Sequence, residues 1–379
     1  MTRHIRGPEG ELDRRRRNVD KRSFMLRSIR RYSPRSLSGC SGLAGLAFLP
    51  VLLMLVAAVS TSATAAAKKS NACGGKDLLA ELHENDPGAV ADVLAAASQV
   101  ANEGAILWRV SRGGIADSYL FGTVHMTDER VTDLSKRVRT AIEGARVVAL
   151  EVADVGPSAL ATAIQQSPTL LMFEDGRRLD LLISPEAFKT VKKQLEAARL
   201  PSAFAEHFKP WVISMVMAVT DCERQRISNG KPVVDMKIAE IARSKNIPVV
   251  GLETVEAQLA AAASVPMEEQ VAMLRSSLTL AERAEDLRET ILQLYLSRKI
   301  GAALPLQKLL AQRSGMDGVT FKGFKSLMVD GRNRTMRTRA LPLIAEGNVF
   351  IAVGALHLVG EKGLVALLRN AGYQVDPIE

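Results

Sequence analysis

Ser118-Tyr119-Leu120-Phe121-Gly122-Thr123-Val124-His125 is an apolar, β-prone run that closes on a glycine and an imidazole. Its composition predicts a buried strand over Ser118 to Val124. The same ending recurs far downstream, where Val349 to Val353 reads as another buried strand followed by Gly354-Ala355-Leu356-His357. Two further apolar runs lie between them: Arg146 to Leu150, ending in Glu151, and Ile247 to Leu252, ending in Glu253. Open α/β sheets hold ligands beyond the carboxyl ends of their strands, so four such ends on one edge would bring these side chains together. Two imidazoles with one or two carboxylates suit a divalent metal (Mn, Co or Zn), with His125, His357, Glu151 and Glu253 as candidate ligands. Gly122 and Gly354, each three residues before a histidine, would allow a tight turn or the close approach of a cofactor. A shared metal requires His125 and His357 to lie within about 10 Å, because metal–ligand bonds are near 2 Å.

Each of these residues taken singly is more often a helix cap, an ion-pair member or a satisfied buried polar group than a functional one. What favours a site is the repetition of G-x-x-H at opposite ends of a chain with five histidines. His83 and His207 fall in predicted helices without a matching partner and read as structural or exposed. Asp330-Gly331-Arg332-Asn333-Arg334 is a further candidate, since a guanidinium near a metal edge can bind a carboxylate or stabilise an oxyanion. Its alternative is a solvated basic helix face, to which Arg337 and Arg339 would belong.

Outward from the strands, helical spacing dominates. Lys76 to Val100 is amphipathic but interrupted by Pro87, and Leu134, Val138 and Ile142 are spaced for a helix. Ala105 to Val110 reads as a strand before a Gly113-Gly114 turn, and Ser184-Pro185 is a helix start with proline at its first position. Phe204 to Val219, Val233 to Ala242 and nearly all of Glu256 to Gln312 read as helical. Phe321 to Ile344 reads as a helix bent or broken at Gly331 and Pro342, Gly363 to Asn370 as a helix, and Tyr373-Gln374-Val375 as an edge strand. The expected fold is α/β: a central mixed sheet built from the N- and C-terminal halves, with a large helical insertion at about residues 155–320 of a single domain over residues 68–379.

The formal charge of +9 is misleading. Residues 1–67 hold 12 Lys+Arg against 4 Asp+Glu, which leaves 38 against 37 for the remainder. Nucleic-acid binding is therefore not expected, the more so with 4% aromatics. Basic residues up to Arg35, an uncharged apolar run at 43–59 and A-x-A sequences at Ala63 to Ala67 read as an export signal or, uncleaved, an inner-membrane anchor. Either outcome places the domain on the periplasmic or extracellular side, touching membrane only through that run. Cys73 and Cys222 then form either a structural disulfide, favoured in an oxidising compartment, or two unrelated buried thiols. G-x-S-x-G, G-x-G-x-x-G, Walker-type and H-E-x-x-H motifs are absent.

The motifs Ser118 to His125, Leu150-Glu151, Gly251-Leu252-Glu253-Thr254, Asp330-Gly331-Arg332-Asn333 and Gly354 to Gly360 resemble, in order, those of the TraB/GumN family. The GumN-like bacterial branch is closest, with the animal Tiki proteins as distant relatives. The resemblance implies a metal-dependent hydrolase-like domain, since the Tiki branch needs its paired histidines and an intervening glutamate for Mn- or Co-dependent peptidase activity. It implies His125 and His357 as ligands, Glu151 as ligand or general base, Arg332 and Asn333 as supporting catalytic residues, and Glu253 in a weaker role. The expected partner is a peptide or protein substrate. Alternatives are a non-catalytic peptide-binding or regulatory protein of the same fold, or an accessory factor in exopolysaccharide production.

Overall fold

In the computed structural model, residues 73–153, 162, 165–316 and 321–379 are described; the basic leader and the apolar run at 43–59 lie outside them. Six strands form one sheet: β1 (Leu107–Arg112), β2 (Ile115–Thr123), β3 (Val147–Leu150), β4 (Val249–Gly251), β5 (Val349–Gly354) and β6 (Gln374–Pro377). Their order is β4-β3-β5-β2-β1-β6. The first four run parallel, while β1 is antiparallel to both β2 and β6, so the sheet is mixed and drawn from both ends of the chain. The β1–β2 hairpin turns at Gly114, whose φ of +79° suits glycine.

Alternation along the central strands explains the layers. Val148, Leu150, Phe350 and Ala352 enter one core, whereas Val147, Ala149, Ile351 and Val353 enter the other. Parallel strands covered on both faces read as continuous apolar runs, which is why β3 and β5 are nearly uninterrupted Val, Ala, Leu, Ile and Phe.

Helices α1 (Leu78–Asn85) and α2 (Pro87–Ser98) are separated as expected at Pro87, with Asp86 capping the second. The first core is roofed by α3 (Lys136–Glu143), through Val138 and Ile142. Ser184 caps α4 (Pro185–Ala197), accepting from the Ala187 amide at 3.2 Å. Phe204 to Val219 is not one helix: a 3₁₀ turn over Ser202–His207 gives way to α5 (Pro210–Ala218), with Pro210 in the first turn, where its missing N–H costs nothing. Next come α6 (Asp221–Ser228) and α7 (Val234–Ser244), the latter packing Ile238 and Ala242 into the first core.

Glu256 to Gln312 divides into α8 (Val255–Ala263), α9 (Met267–Thr279), α10 (Ala284–Leu296) and α11 (Ala303–Arg313). The breaks fall at Pro266, at a 3₁₀ turn over Ala281–Arg283, and at Arg298 with its φ of +61°. The stretch expected as one insertion returns to the sheet as β4 between α7 and α8, and carries a core of its own around Leu179, Leu195, Ile213 and Leu274.

A π-helical turn over Lys325–Gly331 leads into α12 (Arg332–Ala345), which buries Met336, Ala340 and Ile344 on the second core beside α13 (Leu364–Arg369). Of the bend or break expected at Pro342, the break does not occur; α12 runs through it, losing one amide donor in its final turn. Cys73 and Cys222 form a disulfide, with Cα atoms 5.6 Å apart, that ties the segment before α1 to α6. Among the described residues no helix is long and apolar enough to cross a membrane.

Candidate metal centre

Because β4, β3, β5 and β2 are adjacent and parallel, their carboxyl ends share one edge. Glu253, Glu151, His357 and His125 leave that edge in the same order. Gly354 lies at its centre. A β-carbon built there would sit 3.1 Å from Glu151 Oε1, 3.6 Å from His357 Cδ2 and 4.0 Å from His125 Nε2. The three groups therefore face one small space, and the two histidines lie inside the limit of about 10 Å beyond which a shared ion is excluded.

Each imidazole is held by Nδ1. His357 is buried, and its Nδ1 lies 2.7 Å from Asn333 Oδ1. Asn333, fully buried, donates Nδ2–H to the Lys362 carbonyl at 2.8 Å, which leaves Oδ1 as the acceptor. His357 thus carries its proton on Nδ1 and turns an unprotonated Nε2 toward Glu151 Oε1, 3.7 Å away. Burial drives its pKa down to about 4, so the ring is neutral. His125 Nδ1 is 2.8 Å from Asp235 Oδ2, whose other oxygen accepts from Thr123 Oγ1 at 2.9 Å. The Asp235 charge raises His125 to about 9 although 61% of its side chain is exposed. Histidine ligands of metals characteristically anchor the non-binding nitrogen in this way.

Glu151 is buried, and burial alone would raise its pKa; the imidazoles beside it, the Arg332 charge and the Gly354 amide reverse this and bring it to about 2. Its Oε1 accepts the Gly354 amide at 2.6 Å, and its Oε2 accepts from Arg332 at 2.5 Å and Gln258 at 3.0 Å. A carboxylate so heavily bonded is a weak base but a well-oriented anionic ligand. Glu253 is also buried, and its Oε2 takes two bonds from Arg332, at 2.7 and 2.9 Å. It fixes the guanidinium that fixes Glu151. Arg332 and Asn333 are consecutive because α12 begins here, straight after the wide π turn; one reaches Glu151 and the other His357. π-helical turns recur at such sites.

The two glycines part company. At Gly122 an added β-carbon would meet Ala355 and Leu358 at 3.1–3.2 Å, so this glycine permits packing of the segment after β5, not the approach of a ligand. Only Gly354 faces the site. Among the described residues, just one trio of potential ligand atoms lies mutually within 4.8 Å, namely Cys73, Cys222 and Glu285, whose sulfurs are bonded to each other; the ligand atoms of His125, His357 and Glu151 as a set stand further apart than this, so holding one ion requires them to draw together. The sequence offered little warning of Asp235, Gln258 or Thr123. Asp235 looked like an ordinary first-turn acid of α7, and only its place beside buried Val234 hints that it faces inward.

Two clefts meet at the site. One of 450 Å³ runs along α7 past Asp235, Met236 and Arg243. Another of 260 Å³ is walled by Ile291, Leu294, Ile300 and Leu356. His125 and Glu151 line both, standing on the ridge between them.

Fold and site together define an α/β protein with a His/Glu/His cluster at the carboxyl edge of its parallel strands. The chain belongs to the TraB/PrgY/gumN family, whose model matches residues 106–377. It is 25% identical over 317 residues to Metalloprotease TIKI1 of Danio rerio, covering 71% of this chain and 62% of that protein. Metalloprotease TIKI1 of Homo sapiens is 23% identical over 323 residues, covering 71% and 61%. A bacterial relative, Uncharacterized protein YbaP of Escherichia coli (strain K12), is 25% identical over 254 residues, covering 66% of this chain and 87% of its own length. The chain thus spans about three fifths of its metalloprotease relatives.

Proposed function

We propose that this chain is an exported metal-dependent hydrolase, a peptidase, in which His125, His357 and Glu151 hold one divalent metal (Mn, Co or Zn). The observation that carries the proposal is the pair of imidazoles anchored through Nδ1 by Asp235 and Asn333, with their other nitrogens turned to the space beside Gly354 and Glu151. The donor set of two imidazole nitrogens and an ionised carboxylate suits these metals. When bound, the ion would lower the pKa of a water molecule and polarise a scissile carbonyl. Arg332 keeps Glu151 ionised and aimed, Glu253 and Gln258 hold Arg332 and Glu151 in place, and Asn333 sets the tautomer of His357. The clefts on either side of His125 suit an extended peptide laid across the strand ends, with the apolar one taking a side chain near the reacting bond. Export is supported by the basic and apolar leader sequence and by the disulfide.

The test is the metal content and affinity of the protein purified without chelator, beside His125→Ala/His357→Ala. Near-stoichiometric metal that disappears in the variant is expected, followed by cleavage of members of a peptide library. No metal in either folded protein would overturn the proposal and leave a peptide-binding role for the same clefts.

A further inference from the structure

We infer that Glu223 is a positioning residue for the His125 side of the site, and that the Cys73–Cys222 disulfide anchors the helix from which it acts. This rests on His125 being a ligand. His125 projects from the segment that leaves β2, and with 61% of its side chain exposed, packing around the ring does not fix its place. Two residues on, Thr127 is almost fully buried and donates both its amide N–H, at 2.9 Å, and its Oγ1–H, at 2.6 Å, to Oε2 of buried Glu223.

Local chemistry would send Glu223 elsewhere. Thr220-Asp221-Cys222-Glu223 spells a capping box, in which the glutamate bonds back to the N-cap amide. Thr220 does cap α6, accepting the Glu223 amide at 3.4 Å, but the bonds to the Glu223 carboxylate come from Thr127. Its other oxygen, Oε1, has no hydrogen-bond partner among the described residues; it faces Arg288 Nη1 at 3.8 Å, which has none either.

The helix is itself held. Cys222, next to Glu223, is joined to Cys73, and its amide donates to Glu285 Oε1 of α10 at 3.1 Å. Arg288, also of α10 and 3% exposed in its side chain, pairs with Glu285 and Glu289, and lies 3.6 Å from Asp128. Asp128 further pairs with Arg130 and Arg226. The segment beyond His125 is thus pinned to α6 and α10 by buried groups, and the covalent bridge keeps α6 from drifting.

The experiment compares Glu223→Ala, Glu223→Gln and Thr127→Val with the parent. Backbone hydrogen exchange over residues 124–128 is read without metal, and Co²⁺ affinity and visible absorption are read with it. Glu223→Ala is expected to speed exchange at Thr127 by about tenfold or more, as for one lost buried hydrogen bond. It is also expected to weaken Co²⁺ binding by about 10–100-fold and alter the Co²⁺ spectrum. Glu223→Gln, whose carbonyl can accept both Thr127 donors, restores exchange and affinity to within about threefold. Thr127→Val removes one of the two bonds and falls between, and it decides the matter if Glu223→Ala does not fold. Parent-like exchange and affinity in both Glu223→Ala and Thr127→Val would overturn the inference. A parent that binds no metal defeats the metal-site proposal, while the exchange measurement still decides the role of Glu223.

Discussion

Gly354→Ala places one methyl group in the space that His125, Glu151 and His357 enclose. Gly354 has φ −52° and ψ 135°, open to any L-residue, so the backbone resists nothing. Loss of freedom in the unfolded chain favours alanine by about 0.4–1 kcal/mol. Against this, the new carbon lies 3.1 Å from Glu151 Oε1, whose carboxylate is held by Arg332, Gln258 and the Gly354 amide itself. Relieving that contact costs on the order of 1 kcal/mol. The terms nearly cancel, so the melting temperature should move by less than about 3 °C. Metal binding has no such compensation, because bonds of about 2.0–2.2 Å to three groups need the room the methyl occupies. Affinity should fall by at least about 100-fold, or 2.7 kcal/mol. The assay is competition with a chromophoric chelator for Mn, Co and Zn, run beside thermal melts. A Gly354→Ala protein that melts normally and binds like the parent would refute the placement of the metal. Gly122→Ala is the control: its methyl meets Ala355 and Leu358, so it should destabilise by about 1–3 kcal/mol.

Asp235→Asn should bring His125, in protein stripped of metal, from about 9 back toward its ordinary 6.5, followed by imidazole NMR. The pair's contribution to stability is full below pH 6.5 and lost as pH rises through 9; an unchanged titration in the variant would rule out the coupling. Asp128, held down to about 2 chiefly by its hydrogen bonds from Arg130, and Glu151, also about 2, stabilise the fold fully above their ordinary 3.8 and 4.5. That contribution is lost as pH falls through 2, so urea midpoints should drop steeply between pH 4.5 and 2, and a flat profile would refute it. Cys73→Ser/Cys222→Ser opens a loop spanning 149 residues and should lower unfolding free energy by about 2–4 kcal/mol in urea titrations, with no change as the contrary result.

Much of the fold was legible because four apolar strands each end on a polar residue, and parallel strands align such ends by necessity. Strand neighbours were not legible: nothing in Val349 to Val353 reveals that it pairs with Tyr119 to Thr123 on one side and Val147 to Leu150 on the other. Gly122 and Gly354 look alike in sequence because both avoid a β-carbon, but one avoids a neighbouring backbone and the other leaves a space open. Asp235 went unnoticed since a first-turn acid is the commonest way to favour a helix N-terminus, and its alignment with His125 depends on how α7 packs over β3 and β4. Pro342 does not break α12 for a related reason: packing of Met336, Ala340 and Ile344 on the second core outweighs one missing donor.

β5 occupies the middle of the sheet although its residues follow those of β1 to β4 along the chain. Until 349–354 has been made and inserted, β1–β2 and β3–β4 are two separate ribbons with facing edges bare. Closing that gap joins partners some 200 residues apart, a slow kind of event in folding. His357, Gly354 and Leu356, part of the wall of the smaller cleft, arrive with the same strand. A chain still being synthesised therefore holds His125 and Glu151 but no chamber between them, so the chemistry proposed for this protein is withheld until the last central strand slides home.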